Sequence, residues 1–471
     1  MLQLKSFGYN CIRCSHNPYS DSFARIADRV GILVVDELTD KWSDNDYWGG
    51  RQPFTHIWHK LITEWIKRDR NRPSIILWSL GNELQIREGW AGFEGTNDWG
   101  ITTYNIFNQL VKRWDHTRLT TVAMFPARAG AITRHDKEFN DYLVPPELAC
   151  ATEVASFNYQ SDKYDAYLKY RPDLILFQSE AETSNLLQPY YNMDKERMVG
   201  IAYWGSVEYW GESNKWPKKG WNYSFFEHTM RPYPQAYLIK TAFMPEIPEV
   251  HIGVVDAAGA ESVSWNDVIV GRMALNECWN HTPGSRRSLF TFTNAHSVEL
   301  LVNGQSMGVQ ENDTTQANLR NMIYWKDVPY GNGGSVVAIA RDKSGKEVAR
   351  HHIETAGKAV ALRIEAETPA DWKADGMDLQ YINVTAIDKK GRPVWDYNKP
   401  LTLQMEGAAW LVALDNGDHY TDELFHGITS KRMYQGRMQI ILRSTKTPSN
   451  VKLEISSADL KEKLSLKTSL K

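Results

Sequence analysis

Hydrophobic positions change their spacing once along the chain, and the change divides it. From the beginning to about residue 243, short continuous apolar runs alternate with segments of helical period. The runs are Asn10–Ser15, Ile32–Asp36, Ser74–Leu80, Leu119–Phe125, Val154–Tyr159, Leu174–Gln178 and Val199–Trp204. Unbroken rather than alternating apolar runs belong to strands covered on both faces, as in a parallel sheet. Between them, Phe23, Ile26, Ala27 and Val30 recur at i, i+3, i+4 and i+7, with Ser20 or Asp21 as N-cap and Gly31 as stop. A second helix over His56–Lys67 places Ile57, Leu61, Trp65 and Ile66 on one face, and a third carries Ile106, Phe107, Leu110, Val111 and Trp114. Met1–Gly8 reads as the end of a further helix. Strand–helix alternation of this kind predicts an α/β fold, a (β/α)8-type barrel.

From about residue 244 the helical period disappears. Alternating strands take over, separated by turns at Asn303-Gly304, at 331–334 (Gly-Asn-Gly-Gly) and at 389–392 (Lys-Lys-Gly-Arg). Two all-β sandwiches of immunoglobulin-like type are expected, with a seam at 355–358 (Thr-Ala-Gly-Lys). The expected domains are therefore 1–243, 244–356 and 357–471, the last reaching roughly Ser457 before a loose, Lys-rich tail.

Composition narrows the function classes. A chain of 471 residues is too long for one ordinary core. Its net charge of -3 and pI near 6.5 come from interspersed charges, which leaves no footprint for nucleic acid or an anionic membrane. No apolar run approaches the roughly 18 residues of a membrane span, and the start lacks the charged-then-apolar form of a signal peptide. The compartment is not readable from this, and a homo-oligomer is compatible with it. The 18 Trp residues offer flat faces on which sugar C–H groups stack, although core packing accounts for many of them. Four scattered cysteines make no disulfide framework, and odd spacing along one strand puts Cys11 and Cys14 on opposite faces.

Chemistry is expected where barrel strands end, because that rim gathers strand-end side chains into one cleft. The run from Ser74 stops at Gly81-Asn82-Glu83, and the run from Leu174 stops at Gln178-Ser179-Glu180. Either glutamate alone is more often a helix cap or an ion-pair partner. Two facing one cleft make the catalytic pair of a glycosidase, one protonated to assist the leaving oxygen and one ionised to attack the anomeric carbon. Glu182 shares the strand parity of Glu180 but lies further past the apolar run, so Glu180 is preferred.

Three segments then carry a resemblance: residues 10–18 (Asn-Cys-Ile-Arg-Cys-Ser-His-Asn-Pro), 31–37 (Gly-Ile-Leu-Val-Val-Asp-Glu) and 68–83 (Arg-Asp-Arg-Asn-Arg-Pro-Ser-Ile-Ile-Leu-Trp-Ser-Leu-Gly-Asn-Glu). Together they resemble glycoside hydrolase family 2, which holds β-galactosidases, β-glucuronidases and β-mannosidases. The resemblance implies Glu83 as acid/base and Glu180 as nucleophile, Asn82 on the sugar 2-hydroxyl, and Tyr159 hydrogen-bonded to the nucleophile. It places Arg13, His16, Asp36 and Glu37 around the sugar pocket and Trp204 at its floor. The plain readings beside these are barrel-charge neutralisation for Arg13, a satisfied buried histidine for His16 and a core indole for Trp204. No cofactor is implied, and His16, Asp36 and Glu37 match no compact metal-ligand motif.

In that family the acid/base glutamate ends the fourth barrel strand, whereas three runs precede Glu83 here. The first strand is thus expected to be missing, together with the jelly-roll and immunoglobulin-like domains that precede the barrel. Such a fragment leaves two strand edges unpaired. Intact relatives are often periplasmic or extracellular. The expected function is that of a retaining exo-β-glycosidase of β-galactosidase type acting on a β-linked oligosaccharide or glycoside. Asn214-Lys215, adjacent instead of spaced Asn-x-Lys, disfavours a β-glucuronidase, while a β-mannosidase stays open. The readings from other classes are an inactive fragment or glycan-binding protein, and a scaffold built on the sandwiches. The scaffold leaves Glu83 and Glu180 unexplained.

Overall fold

The computed structural model describes residues 1–42, 52–84, 100–125, 145–159, 161–184, 186–213, 216–256, 261–265 and 268–470, with side chains of 261 and 263–270 left aside. Asn214 and Lys215 lie outside the described residues. One compact unit comprises Met1–Trp204 with Ser262–Gly271 and Gln316–Asn318. Its centre is a sheet of seven parallel strands in chain order: β1 (Cys11–Arg13), β2 (Leu33–Glu37), β3 (Ile75–Asn82), β4 (Leu119–Met124), β5 (Val154–Asn158), β6 (Leu176–Ala181) and β7 (Met198–Tyr203). One strand lies within or overlaps each apolar run, and the sheet curls into a nearly closed barrel.

The helices follow from their own sequence signals. Helix α1 is Leu2–Ser6, and α2 is Asp21–Val30. The Ser20 hydroxyl accepts the Phe23 N–H at 3.2 Å to open α2, and Gly31, at φ 73°, closes it. Its buried positions are Ala24 and Ala27, while Ile26 is 39% exposed. The apolar stripe is therefore narrower than the period alone indicates. Helices α3 (Phe54–Asp69) and α4 (Ile101–Trp114) press Phe54, Ile62, Trp65, Phe107 and Val111 into a core with Trp78 and Leu80 of β3. A smaller cluster of Val35, Leu77, Val154 and Phe177 shares the opposite strand parity. Cys14 belongs to the larger cluster and Cys11 packs on the smaller, so the two thiols are separated by the sheet, and both are free.

Register shifts interrupt the barrel ladder at several places, and two of them bear on the strand ends of β3 and β6. Between β3 and β4, Ser79 pairs with Thr121 and Asn82 with Ala123, so three steps on one strand match two on the other. Between β5 and β6, Phe157 pairs with Gln178 and Asn158 with Glu180. Each inserts one residue, which resets the alternation of side chains between faces. Gly81 sits inside the first, where an added Cβ would lie 2.8 Å from the Trp42 indole nitrogen. That nitrogen donates to the Leu80 carbonyl at 2.8 Å.

The second unit comprises Gly205–Glu261, Arg272–Thr315 and Leu319–Lys471. After a helix over Pro234–Phe243 it is all-β and contains two hydrophobic cores. In the first, Val298, Leu300 and Val302 alternate inward from Ser297–Val302 and meet Ile252, Leu289 and Ile323. In the second, Val451, Leu453 and Ile455 do the same from Asn450–Ser457, against Ile382, Val384 and Ile440. The loose C-terminal tail is corrected: Leu460–Lys467 pairs antiparallel with Asn450–Ser457 along its whole length. Its lysines sit on the outer strand of a four-stranded sheet, with Leu464 and Leu466 against the core. Charges on an edge strand deter further pairing without preventing strand formation.

Replacing Gly81 with alanine is expected to lower stability by about 1–3 kcal/mol, because the Trp42 ring must move and release the Leu80 carbonyl. Urea unfolding followed by tryptophan fluorescence measures this, and an unchanged midpoint would show that the ring yields freely.

Candidate active site

Strand ends bring most of the expected residues together. Arg13 ends β1, Glu37 ends β2, Asn82 ends β3 and Glu83 follows it, Asn158 ends β5 and Glu180 lies near the end of β6. The Arg13 side chain is 4% exposed and reaches across the barrel mouth. Its Nη2 donates to Glu37 Oε2 at 2.7 Å and to Asn82 Oδ1 at 2.9 Å. Its Nη1 donates to Glu180 Oε1 at 2.8 Å. Glu180, and not Glu182, is therefore the β6 carboxylate that receives the guanidinium.

Glu37 is saturated with donors. Besides Arg13 it takes the Ser79 hydroxyl on Oε2 at 2.7 Å, and His16 Nδ1 lies 2.6 Å from Oε1. Burial by itself would raise the Glu37 carboxyl, but Arg13 and His16 outweigh it and hold the group below its ordinary value. Burial would equally lower His16, and the Glu37 contact reverses this, leaving the imidazole above its ordinary value. The other face of the His16 ring stacks on Trp204, with centroids 5.2 Å apart and planes 9° from parallel. Both rings remain half-buried.

Glu83 and Glu180 differ in their surroundings. Burial pushes the Glu180 carboxyl up, Arg13 pulls it down and the charge of Glu83 pushes it up again, with a net rise. Hydrogen bonds link the two: Arg13 bonds Glu180 and Asn82, and Asn158 bonds Asn82 and Glu83. Glu83 Oε1 accepts Asn158 Nδ2 at 3.1 Å, and the same amide donates to Asn82 Oδ1 at 3.0 Å. Asn158 is itself fixed by the Ser179 hydroxyl at 2.7 Å. Asn82 is held a second time, its Nδ2 donating to Asp40 Oδ1 at 3.0 Å. Glu83 and Tyr159 have left-handed backbones, at φ 48° and 59°, which non-glycine residues adopt at an energetic cost and which cluster at functional sites. The Tyr159 backbone N–H donates to the Glu180 carbonyl at 2.6 Å.

One expectation is corrected. Asp36 does not join the cleft: its Oδ2 accepts the Trp65 indole N–H from α3 at 2.6 Å, and burial pushes the carboxyl up to about 7. Glu37 faces the barrel interior, so strand alternation turns its neighbour outward to the helix layer. The sequence reading also passed over Asn158, Ser79, Ser179 and Asp40. Polarity within otherwise apolar strand ends was the available signal for the first three. A buried serine or asparagine at such a position needs a polar partner.

Similarity to known proteins agrees with this geometry. The description "Glycosyl hydrolases family 2, TIM barrel domain" matches residues 1–198, and "Glycoside hydrolase family 2 C-terminal domain 5" matches 362–464. A domain family of unknown function matches 284–349. The beta-galactosidase BoGH2A of Bacteroides ovatus is 25% identical over 522 residues, covering 98% of this chain and 57% of its own length. A beta-glucuronidase of Streptococcus agalactiae is 38% identical over 102 residues, 19% of this chain and 17% of that protein. A solved glycosyl hydrolase family 2 member from Bacteroides cellulosilyticus superposes with a TM-score of 0.80 at 26% identity, over 99% of this chain and 57% of that one. The chain thus spans about half the length of the curated relatives that it matches along most of its own length. With a strand-end carboxylate pair held in a parallel barrel, and two family 2 descriptions matching its barrel and its C-terminal segment, the chain belongs to glycoside hydrolase family 2.

Proposed function

We propose that this chain carries the catalytic centre of a retaining exo-β-glycosidase of β-galactosidase type, with Glu83 as acid/base and Glu180 as nucleophile. The observation that carries the reading is that one hydrogen-bonded network at the barrel mouth, through Arg13, Asn82 and Asn158, joins two strand-end carboxylates. Glu180 is bound by the Arg13 guanidinium, which stabilises its charged form, while Glu83 receives a neutral amide from Asn158. Attack on carbon requires the charged form of Glu180, which the Arg13 contact favours against the burial that raises this carboxyl. In the first step the Glu180 oxygen bonds to the anomeric carbon, the glycosidic bond breaks, and the Glu83 proton passes to the departing oxygen. In the second, Glu83 takes a proton from water, whose oxygen displaces Glu180 from the anomeric carbon and restores the starting state.

Asn82 Oδ1 and Nδ2 are fixed by Arg13, Asn158 and Asp40, which suits Asn82 to a sugar hydroxyl on the nucleophile side. The parallel His16 and Trp204 rings would floor the pocket, and Tyr159 stands next to the nucleophile through its backbone. The domain division 1–243, 244–356 and 357–471 accompanies this reading, and the three family matches each fall within one of these segments. A β-glucuronidase is the second reading, supported by putative beta-glucuronidases of Formosa agariphila, one of them 22% identical over 85% of this chain.

Aryl β-glycosides of galactose, glucuronic acid and mannose separate the substrates, with the galactoside expected to turn over fastest. Glu180→Gln should reduce kcat by on the order of 10³-fold or more. Glu83→Gln should cost roughly 10²–10⁴-fold on a poor leaving group and much less on an acidic phenol, which needs no proton. Proton NMR of the first-formed sugar should show the β-anomer. Wild-type rates in Glu180→Gln, or an inverted product, would sink the assignment.

The Glu37–His16 contact also sets a pH dependence of stability. Glu37 is held below its ordinary 4.5, so its contribution is present above that pH and is lost as pH falls through the lowered value. His16 is held above its ordinary 6.5, so its contribution is present below that pH and is lost as pH rises through the raised value. The stabilising effect of the pair is thus greatest between about 4.5 and 6.5. Urea midpoints measured across pH for wild type and His16→Asn should differ most in that window. A difference independent of pH would remove the ion pair from the account.

A further inference from the structure

The second unit holds a cluster that the glycosidase reading does not use. Glu208, His228 and His419 come from two segments, 205–233 and 415–419, and converge through three atoms. His228 Nδ1 lies 3.3 Å from Glu208 Oε2, His419 Nε2 lies 3.1 Å from the same oxygen, and the two ring nitrogens are 3.1 Å apart. All three side chains are at most 7% exposed. We propose that Glu208, His228 and His419 bind one zinc-type divalent cation.

Hydrogen bonds alone satisfy this triangle badly. Each of the three atoms either presents a hydrogen or presents a lone pair. With two kinds of corner on three edges, at least one edge always sets like against like, two N–H groups or two lone pairs, about 3.1–3.3 Å apart. A cation in contact with three lone pairs leaves no such edge. The size also fits. A triangle of these edges has its centre about 1.8 Å from each corner, so an ion at the 2.0–2.1 Å of zinc–nitrogen and zinc–oxygen bonds stands slightly above its plane, as the fourth direction of a tetrahedron requires.

The surrounding contacts orient the ligands for this purpose. Asp415 Oδ1 lies 2.9 Å from His228 Nε2. It fixes the proton on that nitrogen and leaves a lone pair on Nδ1, the carboxylate–histidine–metal arrangement that raises ligand basicity. Glu208 Oε1 accepts the Tyr233 hydroxyl at 2.7 Å and faces Arg272 at 3.5 Å, which aims Oε2 at the triangle, where the His228 backbone N–H also reaches it at 3.3 Å. The Trp210 ring lies over both imidazoles, 4.8 Å from His228 and 4.7 Å from His419, and lowers the local dielectric. Glu208 and His419 border a cavity of about 120 Å³ with Asn222 and Glu227 in its wall, room enough for a water in the fourth position. Two imidazoles and one carboxylate suit zinc among the common divalent ions, since calcium and magnesium prefer all-oxygen sites.

The test uses the 471-residue chain, purified without a metal column and stripped with EDTA, then titrated with zinc chloride by calorimetry and checked by elemental analysis. Near-unit stoichiometry and a higher melting temperature with zinc are expected. His419→Gln and His228→Gln should each abolish uptake. Asp415→Asn, which changes only the outer contact, should weaken it by about 10–100-fold while leaving the circular dichroism spectrum unchanged. His351→Gln serves as the comparison, because His251, Glu277 and His351 form the other histidine-rich group among the described residues. Failure of the stripped, folded chain to take up zinc at tens of micromolar would overturn the proposal. So would full uptake by His419→Gln, or loss of uptake in His351→Gln alone. None of these readouts depends on glycosidase activity.

Discussion

The barrel mouth is organised around one buried cation. Arg13 sits 167 positions before Glu180 in the chain, yet its guanidinium joins them directly and adds Glu37 and Asn82 in the same plane of donors. A guanidinium out of water is tolerable only where its N–H groups are all taken up, and the fork geometry of arginine serves several acceptors at once where lysine would serve one direction. The dependence runs both ways. Without Arg13, Glu37 and Glu180 would be two buried carboxylates with His16 as the remaining cationic partner shown for both. The first and sixth strands of the sheet are therefore tied by charge at the end where they carry polar side chains, while apolar contacts hold the layers beneath.

Strand geometry explains how so many polar groups reach one place. Regular alternation offers the interior every second residue, which on β2 selects Glu37 and sends Asp36 to Trp65. On β6 the same rule would deliver Ser179 and turn Glu180 away. The inserted residue breaks the rule, so that Ser179 reaches Asn158 while Glu180 reaches Arg13. A corresponding insertion on β3 delivers Asn82 after Ser79 and is followed by the left-handed backbone of Glu83. Irregular pairing and positive φ cost energy, and they occur where carboxylates converge. The apolar packing lower in the strands, with Leu77 and Phe177 inside and Trp78 outside, supplies the rigidity that supports such exceptions.

Much of this was legible in the sequence because it rests on period and punctuation. All seven barrel strands came from continuous apolar runs, α2 from the Ser20 cap and the Gly31 stop, and the switch to β-structure from a changed period. The Glu83–Glu180 pairing was legible because each glutamate stands where an apolar run ends. What escaped depends on side-chain direction at irregular points. Asp36 looked equivalent to Glu37 because adjacent acids at a strand end cannot be told apart without knowing which one faces inward. Asn158 and Ser179 looked like ordinary strand-end residues because their importance lies in whom they touch, 76 and 21 positions away. The Lys-rich end looked disordered by composition, whereas the wider leucine spacing within Leu460–Lys467 lets that segment pair as an edge strand. The triangle of Glu208, His228 and His419 had no sequence signature, since 191 residues separate its two histidines.

The two glutamates show how strand ends place identical side chains in different surroundings. Both stand at strand ends, both are nearly buried, and the charge of Glu83 acts on Glu180. Arg13, a permanent cation, bonds Glu180, and the Asn158 amide bonds Glu83. Burial and the charge of Glu83 raise the Glu180 carboxyl, and Arg13 is the largest contribution that favours its charged form. Arg13 is therefore more than a structural counter-ion in this arrangement: it joins Glu180 directly and reaches Glu83 through Asn82 and Asn158, so one network of hydrogen bonds holds both acids at the strand ends.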